Sequence, residues 1–183
     1  MAVFRRTSYL SIAVLAISIV AITSSAEAGL VAPRSQCEGQ KNIKAPEPRQ
    51  EDAMRCLINY ARDHSGSGGL GSDRALERAS GRKVGDVMDC GFSHTACGKP
   101  ADIYPRKFGY TSGSFQWGEN LGYGVGKRGS ARNMIQAWLN SAPHRSTMLR
   151  GSFDELGLGL RRGGFSGRDN VGVWVLQLGC QGC

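Results

Sequence analysis

Three side chains in this sequence pair a reactive type with a position that demands an explanation: His94, Glu119 and His144. His94 lies in CGFSHTACG (90–98), between two cysteines seven residues apart and flanked by hydroxyls. Glu119 falls in 117–123, where Trp117, Glu119, Leu121 and Tyr123 share one face of an alternating strand and Gly118, Asn120 and Gly122 share the other. It is the single charge on an otherwise apolar face, and such a charge is costly to bury without a partner. His94 and His144 are the candidates. His144 follows Ser141, Ala142 and Pro143, which read as a fresh helix start. In that first turn the positive end of the helix dipole disfavours imidazolium, so a neutral ring is expected, able to ligate a metal or accept a proton. The structural alternative is a Glu–His hydrogen-bond pair that only orders a loop.

Other chemistries lack their residues. There is no G-x-S-x-G elbow, no H-E-x-x-H, no phosphate loop ending in Lys-Ser/Thr and no EF-hand loop. Ser93 beside His94 is a neighbour in sequence only, whereas catalytic triads meet through the fold. Cys90 and Cys97 as thiolate nucleophiles are excluded by the compartment argued next.

Residues 1–28 predict a secretory signal peptide: a basic start in MAVFRR, an apolar run over 10–22, and Ala26, Glu27 and Ala28 as a small-x-small cleavage site. No second stretch is apolar enough to span a membrane, so a soluble exported protein is expected. All six cysteines (Cys37, Cys56, Cys90, Cys97, Cys180 and Cys183) follow that segment, and an even count in an exported chain predicts disulfides rather than metal thiolates. Cys90–Cys97 is the favoured single pair because its loop closes easily. The other four pair either locally, 37 with 56 and 180 with 183, or across the chain ends. Removing Arg5, Arg6 and Glu27 leaves 21 basic and 14 acidic residues, a net charge of +7 suited to anionic surfaces such as lipids or wall polymers. The basic residues come as scattered pairs with no interleaved aromatics, so specific nucleic-acid binding is not expected.

Four helices and three strands must position these groups. Residues 29–49 are a polar tail held at Cys37, ahead of a domain over 50–183. A helix is predicted over 51–63, on Met54, Leu57, Ile58 and Ala61, with His64 capping its C-terminus. Ser72 is the expected N-cap of a second helix carrying Leu76, Ala79, Val84, Val87 and Met88, which Gly81 and Gly85 are expected to weaken or break. Residues 89–115 read as loop, with Pro100 and Pro105 limiting any helix to a turn or two. Ser130 caps a third helix with Met134, Ile135, Trp138 and Leu139 as its stripe, and the short helix containing His144 ends near Gly151. Leu156, Leu158 and Leu160 alternate with Gly157 and Gly159, which predicts close approach of another element, and 171–178 reads as a central strand apolar on both faces. The stretch RRGGFSGRDN is the loop expected to join these two strands as an antiparallel pair. The fold class is α+β, helices covering a small, largely antiparallel sheet.

FSH (92–94), GEN (118–120), the set Trp138, Ser141, His144, Arg145, and the strand FDELGLGL (153–160) occur in the order seen in bacterial members of the CAP superfamily, the cysteine-rich secretory, antigen 5 and pathogenesis-related proteins. The resemblance spans about residues 50–178. It implies a three-layer α-β-α sandwich with a central cleft. It also implies His94, Glu119 and His144 as ligands of a divalent metal, zinc first, with Asn120, Trp138 and Ser141 supporting the cleft. Ser141 stands where many eukaryotic members carry a second acid, and Ala96-Cys97 where many bacterial ones carry Asp-Pro. The function expected is a secreted, non-enzymatic module that binds a lipid, a cell-envelope ligand or a partner. The alternative is a hydrolase or peptidase in which metal on His94 and His144 activates water and Glu119 is the base.

Overall fold

The computed structural model describes residues 29–111 and 113–183; the segment expected to be a signal peptide lies outside them. The chain runs through α1 (Glu47–Ser65), β1 (Gly71–Ser72), α2 (Arg74–Cys90), α3 (Ile103–Lys107), β2 (Phe115–Val125), α4 (Ala131–Asn140), α5 (Ala142–Met148), β3 (Glu155–Phe165) and β4 (Arg168–Gln181). The sheet order is β1-β3-β4-β2. All of its pairings are antiparallel except the two-residue β1, which lies parallel to β3.

Strand alternation divides the interior into two cores. Leu121, Val171, Val173 and Val175 meet Val84 and Val87 of α2 on one face. On the other, Leu156, Leu158, Leu160, Trp174, Leu176 and Leu178 pack with Met54, Leu57 and Ile58 of α1 and Met134, Ile135 and Trp138 of α4. The result is the three-layer α-β-α sandwich. The central strand β4 has apolar residues on both faces because a helical layer covers each. The close approach expected at the β3 glycines is made by α2: a Cβ on Gly157 would stand 2.0 Å from the Leu76 carbonyl carbon, and one on Gly159 would stand 2.5 Å from the Ser80 carbonyl oxygen.

Several boundaries differ from those expected. Helix α1 is longer at both ends than 51–63, starting behind Pro46 and stopping at Gly66, whose φ of 74° supplies the left-handed turn. His64 therefore lies inside the last turn, stacked on the Tyr60 ring with centroids 3.8 Å apart, and is not what ends the helix. Asp73, not Ser72, is the N-cap of α2, its carboxylate accepting from the Leu76 N–H at 2.8 Å; the Ser72 backbone is committed to pairing with β3. Helix α2 runs unbroken through Gly81 and Gly85, because its buried stripe from Leu76 to Val87 outweighs the propensity lost at two glycines. The loop expected over 161–170 is mostly strand: Phe165 pairs with Arg168 across a two-residue turn in which Ser166 and Gly167 both have positive φ. Ser130 caps α4 and Ser141 stands at the start of α5 as expected, and α5 ends at Met148, three residues short of Gly151.

Disulfides join Cys37 to Cys56, Cys90 to Cys97 and Cys180 to Cys183, so the four cysteines left open by sequence pair locally.

Helix α1 also closes the free edge of β3. Beyond the short β1 pairing, the Leu160 N–H donates to Glu51 Oε1 at 2.7 Å and the Arg162 N–H to Glu47 Oε1 at 2.8 Å. Two carboxylates one helical turn apart thus take the place of a neighbouring strand. Burial raises the Glu51 pKa from 4.5 to about 7, the Leu160 N–H opposes that rise, and the Glu47 charge adds to it. The folded protein therefore holds this proton more tightly than the unfolded chain. The stabilisation is complete below the unfolded value and is lost as pH rises through about 7. Glu51→Gln keeps the acceptor without the charge, so the fall in Tm of the wild type between about pH 5 and pH 8 is expected to flatten in this variant. Parallel Tm–pH curves would refute the assignment.

Candidate functional site

Strand β2 is an edge strand, and its alternation points Glu119 toward the α2 layer and Asn120 toward the α5 layer. The Glu119 side chain is 1% exposed and accepts from two directions. His94 Nδ1 lies 2.8 Å from Oε1, and Gln177 Nε2, directly across the sheet on β4, donates to Oε2 at 3.2 Å. The charge on the apolar face thus has its partner, and the partner is His94.

His94 is held by its backbone as well as its ring. Helix α2 ends at Gly91, with φ of 101°, and the Cys90–Cys97 bond closes the turn that follows. Lys83, fully buried within α2, sends its ammonium to the His94 carbonyl oxygen. With Nδ1 on Glu119, the His94 ring, 54% exposed at the side chain, keeps Nε2 as its second nitrogen.

His144 approaches β2 from the other layer. Its carbonyl oxygen accepts from Asn120 Nδ2 at 2.9 Å, and its Nδ1 lies 2.8 Å from Ser141 Oγ. Burial lowers its pKa, and the nearby His94 imidazole lowers it further. The neutral form of the ring is therefore favoured, by burial first and by the neighbouring His94 imidazole second. Trp138, 1% exposed, anchors α4 against β2 by donating from Nε1 to the Leu121 carbonyl at 3.0 Å.

The structure thus joins His94 to Glu119 and Ser141 to His144 as two pairs on either side of β2. Among the described residues no three His, Cys, Asp or Glu side chains form a group able to hold a metal ion. The donor set does not make a ready three-ligand cage: both Glu119 oxygens are engaged, and Ser141 holds His144 where a second acid would stand.

Beside the pair is exposed apolar surface. Phe92, Tyr123 and Val125 are the large apolar side chains that stand out among the described residues, at 48%, 42% and 37% exposure. The Phe92 ring meets Tyr123 edge-on at 4.9 Å, and Tyr123 meets Phe165 at 5.3 Å.

The model of the CAP cysteine-rich secretory protein family matches residues 56–178, which contain every one of these side chains. The chain belongs to the CAP family. Solved structures share the fold at low identity. An outer surface protein of Borrelia burgdorferi is 20% identical with a TM-score of 0.59, covering 72% of this chain and 92% of its own. An extracellular SCP-domain protein of Bacillus anthracis is 22% identical with a TM-score of 0.59, and a cysteine-rich secretory protein of Staphylococcus aureus is 18% identical with a TM-score of 0.53. Each of these two matches covers 74% of this chain, which spans only 42% and 39% of their respective lengths. A search of curated proteins finds no significant match.

Two residues of the candidate site in this CAP domain escaped the sequence reading. Gln177 is the one polar residue in an otherwise apolar stretch of central strand, and Lys83 sits on the buried stripe of α2 between Ala79 and Val87. In each case a polar residue at an apolar position was the available signal. Gln177 Oε1 is buried without a hydrogen-bond partner among the described residues.

Proposed function

We propose that this CAP domain is an exported binding module whose ligand docks over the His94–Glu119 pair and the aromatic surface beside it. The observation that carries the reading is Phe92 and Tyr123, two exposed aromatic rings packed edge-on, the first of them two residues from a histidine whose orientation is already fixed. Apolar rings with a polar anchor suit an amphiphile, a lipid or a cell-envelope component carrying a hydrogen-bonding head. The chain's net charge of +8 favours anionic surfaces. Export is supported by the leading segment of the sequence and the three disulfides, and no helix among the described residues is long and apolar enough to cross a membrane.

Glu119 is poorly placed as a general base. The Glu119 carboxylate is 1% exposed and each oxygen already accepts a hydrogen bond, so a substrate water has little access to it. This weighs against the hydrolase alternative.

A second reading has its own observation. His94 and His144 each have Nδ1 engaged, which leaves both Nε2 atoms as donors, with Glu119 orienting His94 as a carboxylate behind a metal-bound histidine does. In that reading the two imidazoles, and not Glu119, would hold a divalent ion such as zinc.

One set of measurements separates the readings. Binding to phosphatidylcholine vesicles containing phosphatidylglycerol is expected to fall about tenfold in Phe92→Ser, the loss of roughly half a buried aromatic. Unchanged binding would remove the aromatic rim from the site. Elemental analysis of protein prepared without chelator tests the ion: stoichiometric zinc lost in both His94→Ala and His144→Ala supports it, and metal-free protein rejects it.

A further inference from the structure

Helix α2 carries a second feature, on the flank bordered by α3 and by Arg161 of β3. Gly81 and Gly85 lie one turn apart in the middle of a 17-residue helix, where each costs about 1 kcal/mol relative to alanine. The β3 glycines are required by close contact, but these two are not: a Cβ built on either meets no atom within 4 Å, and neither has positive φ. Packing and backbone geometry leave both glycines unexplained. What they do is floor a cavity of about 560 Å³ with bare helix backbone.

The walls of that cavity have a definite chemistry. Arg78, Arg82, Lys99 and Arg161 line it, together with the rings of Tyr104 and Phe108. The Arg78 guanidinium lies 4.3 Å above the Phe108 ring, and Tyr104 and Phe108 stack at 6.3 Å. Asp86 and Asp89 also line the cavity. Asp86 is already occupied by Lys99 Nζ at 2.7 Å and by the Tyr104 hydroxyl at 2.8 Å. Arg161 touches Glu47 only at 3.9 Å, and Arg82 has no hydrogen bond or ion pair among the described residues. Four cations against two carboxylates leave the lining at +2.

We propose that this groove is a binding site for a phosphate ester of sugar or polyol size. Guanidinium groups match oxyanion geometry with paired N–H donors, and a phosphate monoester carries close to two negative charges at neutral pH. Inorganic phosphate would leave most of the cavity empty, whereas a sugar or polyol lies against the aromatic wall and the uncovered backbone. The site is separate from the aromatic rim at Phe92 and does not depend on the function proposed there.

Calorimetric titration with glucose 6-phosphate tests it, with glucose and inorganic phosphate as comparisons. The sugar phosphate is expected to bind at least tenfold more tightly than either. Arg82→Gln, at an exposed position, is expected to weaken binding about tenfold. The double variant Gly81→Ala, Gly85→Ala is expected to bind at least tenfold more weakly while its Tm rises by a few degrees, because two helix positions improve as the floor fills. A loss of affinity accompanied by a gain of stability is not the signature of a damaged fold. Phosphatidylcholine vesicles containing phosphatidylinositol form the second arm. Retention abolished by the same variants places the phosphate on a lipid headgroup; soluble binding without retention assigns a free ester. Equal affinity for all anions, binding unaffected by the glycine substitutions, or no binding of either probe would overturn the proposal.

Discussion

Arg62→Ala is expected to cost more than about 4 kcal/mol, most of the stability of a domain at the lower end of the usual range of about 5–15 kcal/mol. Arg62 is fully buried near the end of α1. Each of its five N–H groups finds a backbone carbonyl. Nε donates to Gly68 at 2.7 Å, and one terminal nitrogen donates to Met148 and Arg150, both at 2.9 Å. The other donates to Ser67 at 2.8 Å and Phe153 at 2.7 Å. These carbonyls belong to the glycine-rich loop after α1, to the last residue of α5 and to the segment joining α5 to β3. Removing the side chain strands buried acceptors, each at about 1–3 kcal/mol, and opens a cavity as well. Arg62→Lys offers three donors to five acceptors and should recover part of the loss; Arg62→Met fills the volume without donors and should recover little. Urea unfolding followed by circular dichroism measures all three. An alanine variant with a midpoint close to wild type would mean that these carbonyls have other partners.

The second large effect is expected at Gly157. An alanine there places a methyl group 2.0 Å from the Leu76 carbonyl carbon and 2.3 Å from the Glu77 nitrogen. Both are helix backbone, which no rotamer change can move aside. Helix α2 must lift from the sheet, and the cost reaches or passes the upper end of about 1–3 kcal/mol usual for overpacking. At about 2–4 °C per kcal/mol for a chain of this size, the Tm should fall by roughly 10 °C. Gly151→Ala, where nothing lies within 4 Å, is the control expected to leave Tm unchanged. Because Lys83 on α2 holds the His94 carbonyl, ligand binding in Gly157→Ala should weaken beyond what the unfolded fraction explains. Binding that merely tracks the folded fraction would show that α2 does not position the site.

Much of the fold was legible because its signals are local and periodic. The alternation over 117–123 placed Glu119 on an apolar face and so required a partner, and the stripes of α1 and α4 gave the helices of one outer layer. What sequence left unread depends on contacts across the chain. Periodicity treats lysine as a solvent residue, so the buried stem of Lys83 and the reach of its ammonium to the loop went unnoticed. Gln177 was absorbed into an apolar run because its reason, Glu119, lies 58 residues away on another strand. Nothing in the helical pattern singles out Arg62, because its carbonyl partners become neighbours only once the chain has folded. Gly81 and Gly85 were read as weak points of a helix, since sequence alone does not separate a glycine that breaks a helix from one that leaves a groove over it.

The three disulfides have a consequence for how the molecule is assembled. They join cysteines 19, 7 and 3 residues apart, so every covalent closure lies within one short stretch of chain. In the export proposed above, each correct bond can form as its stretch emerges into an oxidising compartment, before the sheet exists and without a search among distant thiols. Oxidation therefore does not decide the topology. The long-range order, with β2 and β3 brought to either side of β4, is left to non-covalent ties such as Arg62 and to the two cores. A fully oxidised chain that has lost those ties would retain all three native bonds and still be unfolded.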